Sequence, residues 1–138
     1  MDAAEIRRAF ADFCGTDRYR QFVAAIWRKA IWKQRLVFWQ EQLWREFSKA
    51  SASALPVSFA DVYRVFRVCP RHLEPLEVVD RDRTSADAAL PGDTPDDRAK
   101  LFPFAFVAVT QGGVTEALSC RACRSDLEAR AAAARAGR

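Results

Sequence analysis

Histidine is almost absent from this chain: His72 is the only one in 138 residues. No Ser/His/Asp set can therefore be built around a second imidazole, and a hydrolytic zinc enzyme using His72 as a ligand would be left without an additional base. Glycine-rich phosphate loops and dinucleotide fingerprints are missing as well. So are long uncharged apolar runs. Arg28, Lys29, Lys33 and Arg35 interrupt the most hydrophobic part, and no run approaches the roughly 20 residues that a membrane span needs. The start places Asp2, Glu5, Arg7 and Arg8 ahead of any apolar run. It lacks the basic-then-hydrophobic order of a secretory signal, so no export and a cytoplasmic location are expected.

What remains is a chain that folds. Half of its residues are hydrophobic and 12% are aromatic, too apolar for a disordered protein and sufficient for a core. Its length suits one domain, or one small module with an appended helical segment. The net charge of +4 comes from 22 basic and 18 acidic groups, with the basic excess at the two ends. That balance permits nucleic acid or acidic partners without pointing to either.

Four residues have the spacing of metal ligands. Cys69-Pro70-Arg71-His72 is answered by Cys120-Arg121-Ala122-Cys123, and each pair is spaced by two residues. At that spacing a backbone knuckle or the first turn of a helix points two side chains at one tetrahedral ion. Cytoplasmic thiols stay reduced, so this arrangement fits a structural zinc ion better than disulfides. A closed four-ligand site holds a fold together and leaves no coordination position for chemistry. Cys14 stands apart on the apolar side of its helix and reads as a small core residue rather than a reactive thiol.

Taken in order, Asp2 and Glu5 resemble a capping box ahead of a helix over about 3–13, which Gly15 can stop. Thr16 or Asp17 can cap the next element, which runs to about Ser48 without Gly or Pro. At 1.5 Å per residue it would be about 48 Å long, against about 37 Å across for a compact domain of this size. Such a helix protrudes or bends. Its apolar residues sweep a wide arc, and Trp27, Ile31 and Phe38 form a further strip apart from it. One neighbour cannot cover both. Burial within the monomer, burial by a protein partner or second copy, and a membrane surface all remain open, although Glu41, Glu46 and the lack of a clean polar face argue against the last.

Residues 51–57 are linker-like, which divides the chain into a helical segment (1–50), a linker and a zinc-binding module (58–138). Ser58 caps a short helix over 59–66, and 76–79 reads as a strand. Residues 80–100 are acidic and aperiodic, as in a loop. Two strands, 104–109 and 114–118, flank the Gly112-Gly113 turn, and a strong helix former covers 125–135. The predicted fold class is thus α+β: N-terminal helices including one long Trp-rich helix, then a β-hairpin and a C-terminal helix around the metal. Knuckle, hairpin and a helix starting at the second ligand pair is the order of a treble-clef zinc module. Thiolates at that helix N-terminus would also be favoured by its dipole.

Residues 66–130 resemble a group of small uncharacterised bacterial proteins with V-C-P-x-H, then L-F-P, a Gly-Gly hairpin and C-x-x-C-R. Here these are 68–72, 101–103, Gly112-Gly113 and 120–124. The resemblance covers about half of the chain, omits the Trp-rich helix, and implies a zinc module with no known activity.

His72-Leu73-Glu74 with Cys120 and Cys123 also looks like the H-x-E…P-C-x-x-C signature of zinc deaminases, with Glu74 as proton shuttle. Against it, Ser119 replaces the proline, Pro75 follows the glutamate, and Cys69 is available as fourth ligand. Two binding readings remain. A nucleic-acid module would contact phosphates through Arg64, Arg67, Arg71, Arg121 and Arg124. A non-enzymatic interaction protein would bind a protein partner or itself through Trp27, Ile31, Phe38, Trp32 and Trp39, because Trp and Arg dominate interface energetics. The second is the preferred expectation.

Overall fold

The computed structural model describes residues 2–79 and 107–136. The chain divides into two compact units, Met1–Leu73 and Glu74–Arg138. The fold is mixed α/β, with helices and a three-stranded antiparallel sheet. Among the described residues no helix is long and apolar enough to cross a membrane. The loop expected at 80–100 and the L-F-P motif lie outside the described residues.

The first unit is helical. Helix α1, Ala3–Cys14, starts where the Asp2 carboxylate accepts from the Glu5 N–H at 2.8 Å. It ends at Gly15, whose φ of 89° breaks the helical path. Helix α2 covers Thr16–Ala25 and passes through a π-helical turn, Ile26–Ala30, into the short α3, Ile31–Lys33. The chain then reverses, and α4 runs over Phe38–Ala50. The element expected to span 16–48 therefore bends rather than protrudes, and two local features cause it. The π turn adds a residue and rotates the following side chains. Gln34 then adopts a left-handed conformation, with φ 55° and ψ 34°, and donates from its own amide to the Ile31 carbonyl at 2.5 Å.

Gln40 ties this bend together. It has no exposed surface; its amide donates to the Phe22 carbonyl at 2.9 Å, and its oxygen accepts from the Val37 N–H at 3.1 Å. Both hydrogen-bonding ends of a buried amide are thereby satisfied, as burial requires.

The bend lets aromatic residues from opposite ends of the sequence-predicted helix meet in one core. Phe10 is the hub. It is fully buried, with ring centroids of Phe22 at 4.8 Å, Phe66 at 5.1 Å, Phe47 at 5.2 Å, Trp44 at 5.9 Å and Tyr19 at 6.1 Å. Helix α5, Phe59–Val65, begins at Ser58, whose hydroxyl accepts from the Asp61 N–H at 3.3 Å. Its last carbonyls are met from α1, where Arg7 donates to the Val65 carbonyl at 2.7 Å. Residues 51–57, read from sequence as a linker, lie inside this first unit, and the Trp44 indole donates to the Pro56 carbonyl at 2.9 Å.

In the second unit the strand order is β1 (Glu77–Val78), β3 (Val114–Ser119), β2 (Val107–Gln111). Gln111 pairs with Val114 across a two-residue turn, and Gly112 and Gly113 both take positive φ, 60° and 81°. Such a turn matches the right-handed twist of the flanking strands. Helix α6, Arg121–Ala136, follows β3 with no intervening loop beyond Cys120. Among the described residues of this unit, Leu76, Val109, Ala117, Leu118 and Leu127 are buried, as are Cys120 and Cys123.

Replacing Gln40 by Ala leaves the Phe22 carbonyl and Val37 N–H without their partner. We expect a loss of about 1–3 kcal/mol in urea unfolding followed by circular dichroism. An unchanged midpoint would show that the bend is held by the aromatic core alone.

Candidate metal centre

The first ligand pair is positioned by a tight backbone reversal directly after the helical core. Val68 is fully buried, and its carbonyl accepts from the Trp27 indole at 3.0 Å. The Leu73 N–H returns to the Cys69 carbonyl at 2.7 Å, with Leu73 in the left-handed region at φ 57°. This closes one turn around Pro70 and Arg71 and turns Cys69 and His72 to the same side, leaving Cys69 Sγ 3.8 Å from His72 Nδ1.

The second pair sits at the start of α6. Cys120 immediately precedes the helix, and its carbonyl accepts from the Arg124 N–H at 3.0 Å. Cys123 lies one turn along. Cys69, Cys120 and Cys123 have no exposed surface, and His72 is half-buried. One ligand atom from each of the four residues falls in a single cluster, all within 4.8 Å of one another. A tetrahedral ion with metal–sulfur bonds of about 2.3 Å needs ligand atoms about 3.8 Å apart. The cluster is close to that size. None of these three cysteines is joined in a disulfide among the described residues. These residues thus fit a metal ion, and their donor set of three sulfurs and one nitrogen suits a soft or borderline ion rather than calcium or magnesium.

Glu77, which the sequence reading passed over, organises the helix that carries the second pair. From β1 its two carboxylate oxygens receive Arg121 at 3.1 Å and Arg124 at 2.8 Å. Strand register explains the meeting, since Glu77 pairs with Ser119, two residues before Arg121. The sequence signal was a lone acid in a β-branched run and two arginines three apart on one helix face, visible only once the strands are aligned.

Other candidates fall differently. Glu74 is exposed, and Cys69 belongs to the ligand cluster, where the deaminase pattern needs an open position. Arg64 and Arg71 are exposed and Arg67 half-buried, whereas Arg121 and Arg124 are engaged by Glu77. The strip Trp27, Ile31 and Phe38 separates. Ile31 is buried, and Trp27 is held by Val68 and packs edge-on against Tyr63 at 5.6 Å. Trp39 packs on Phe22 at 6.2 Å. Trp32 and Phe38 alone of these five stand in solvent, 82% and 76% exposed. The cause is the bend, which changes the face each residue presents. Cys14 is half-buried; burial pushes its thiol above the ordinary range, only partly offset by its contact with the backbone and by Arg18. A raised value lowers the thiolate fraction, as expected of a packing cysteine.

No family model, curated protein or solved structure matches this chain.

Trp27→Ala removes a packed ring and the donor to Val68, and should cost about 3–5 kcal/mol of stability. Trp32→Ala should stay within about 0.5 kcal/mol of the parent. Equal melting temperatures for these two variants would contradict the division of the tryptophans into core and surface.

Proposed function

We propose that this chain is a non-catalytic docking protein whose scaffold is stabilised by one structural zinc ion, held by Cys69, His72, Cys120 and Cys123. The observation that carries the reading is the donor set: three thiols and an imidazole clustered within 4.8 Å, with all three cysteines buried. Zinc takes such Cys₃His sets in tetrahedral geometry, and four protein ligands leave no vacant position for a reacting water. Bound as thiolates, the cysteines would be neutralised by the ion, which removes the cost of burying their charge. The order of knuckle, strand, hairpin and ligand-bearing helix supports a treble-clef-like module, as does the resemblance of 66–130 to the V-C-P-x-H and C-x-x-C-R proteins.

Docking is the function left when chemistry is absent. Its support is the exposure of Trp32 and Phe38 on a well-fixed bend, since large aromatics are the side chains that carry binding energy. The nucleic-acid reading is weaker because two of its five arginines are paired to Glu77.

Elemental analysis of protein purified without chelator should give close to one zinc per chain. Cys120→Ser should lose the metal, with destabilisation on the order of 10 kcal/mol for a small structural site, whereas Glu74→Ala should retain it. A wild-type metal content near zero would remove the zinc site. Turnover of cytosine or adenine that disappears in Glu74→Ala would replace docking with catalysis.

A further inference from the structure

Between Asp17 and Glu41 the chain carries six cations, Arg18, Arg20, Arg28, Lys29, Lys33 and Arg35, and no acidic residue. The bend at Gln34 lies within this stretch. Lys33 and Arg35 flank it and are exposed, and Arg28 and Lys29, also exposed, lie one turn before Trp32. The two most exposed aromatics among the described residues, Trp32 and Phe38, stand on either side of it. Their mount is fixed: Gln34 bonds Ile31, Arg35 N–H closes on the Ala30 carbonyl at 3.2 Å, and Gln40 anchors the start of α4. Glu41, one turn beyond Phe38, is offset by Arg45 at 3.8 Å.

Area and charge discriminate between occupants. At their measured exposures the two rings offer on the order of 350 Å², well short of the roughly 800 Å² per partner in a standard protein interface. A second copy docked through the same bend would also bring Arg28, Lys29, Lys33 and Arg35 against their own counterparts. A bilayer needs no matched surface. Trp and Phe rings settle at the boundary between headgroups and acyl chains, while Lys and Arg extend their charged ends toward the headgroups. Near an anionic leaflet each such cation strengthens binding by roughly fivefold.

We propose that the bend spanning residues 28–38 docks this protein peripherally on an anionic lipid surface, with Trp32 and Phe38 inserted and Arg28, Lys29, Lys33 and Arg35 over the headgroups. The inference rests on the docking reading and names its partner. Of the two acids that weigh against a membrane face, Glu41 is paired with Arg45, and Glu46 lies two turns beyond Phe38 on α4.

Co-sedimentation of the full chain with large unilamellar vesicles tests it, comparing phosphatidylcholine alone with phosphatidylcholine containing about 30 mol% phosphatidylglycerol. Binding should be at least about tenfold tighter to the anionic vesicles and should weaken as salt rises. Trp32→Ala and, separately, Phe38→Ser should each lower it by about tenfold, and Lys33→Gln combined with Arg35→Gln by about 25-fold. All three variants should melt as the parent does. Absence of binding to anionic vesicles overturns the proposal, as does binding that none of the three variants reduces. No vesicle binding, with a concentration-dependent dimer in sedimentation velocity that Trp32→Ala disperses, removes the lipid but keeps docking. A monomer at all concentrations that ignores vesicles and behaves identically with Trp32 replaced removes docking as well.

Discussion

The burial of Phe10 is the constraint on which the helical unit closes. Five aromatic rings from α2, α4 and the end of α5 lie within 6.1 Å of its centroid, and they cannot all be met together if residues 16–48 stay one straight helix. Phe22 and Trp44 are 22 positions apart, about 33 Å along an unbroken helix, yet both touch the same ring. Apolar burial contributes about 1.5–3 kcal/mol for each large side chain. That outweighs the roughly 1–2 kcal/mol of a left-handed Gln34, so the bend follows from the composition of the helix it interrupts.

The same core delivers the metal-binding knuckle. Phe66 packs on Phe10, Phe22 and Trp44, and three residues later Cys69 leaves the core with the Val68 carbonyl held by Trp27. A ligand on a rigid support loses little conformational entropy when it binds. Cys120 and Cys123 have equivalent support of their own. Helix α6 is locked to β1 by the fork of Arg121 and Arg124 on Glu77. Charge-assisted pairs of this type hold orientation better than they add stability when partly exposed.

The chain's only imidazole, His72, belongs to the cluster that could hold a metal ion. Of the acids close in sequence to the first ligand pair, Glu74 is exposed and Glu77 is engaged by Arg121 and Arg124. In the helical unit the two most exposed aromatics, Trp32 and Phe38, flank the bend, where Arg28, Lys29, Lys33 and Arg35 are also exposed, and this coincidence gives those rings a meaning that scattered surface residues do not have.

Much of this was legible without coordinates. The x2 spacing of both ligand pairs, the caps at Asp2 and Ser58, the Gly112-Gly113 turn and the mixed α/β class all depend on interactions within a few residues, and local chemistry is written in local sequence. The C-terminal helix begins at Arg121, within the second ligand pair as the order of elements implies, and it takes in the strong helix former over 125–135. Which tryptophans are buried was not legible. Periodicity assigns faces to a straight helix, and one π turn with one left-handed residue reassigns them, burying Ile31 and packing Trp27 while releasing Trp32. Sequence alone determined that more apolar surface exists than a single helix face can bury and that four residues are suited to one metal. Tertiary structure decided where the helix breaks and which rings stay in water, since that choice depends on the combined burial of residues such as Phe10, Phe47 and Phe66, which no local pattern brings together.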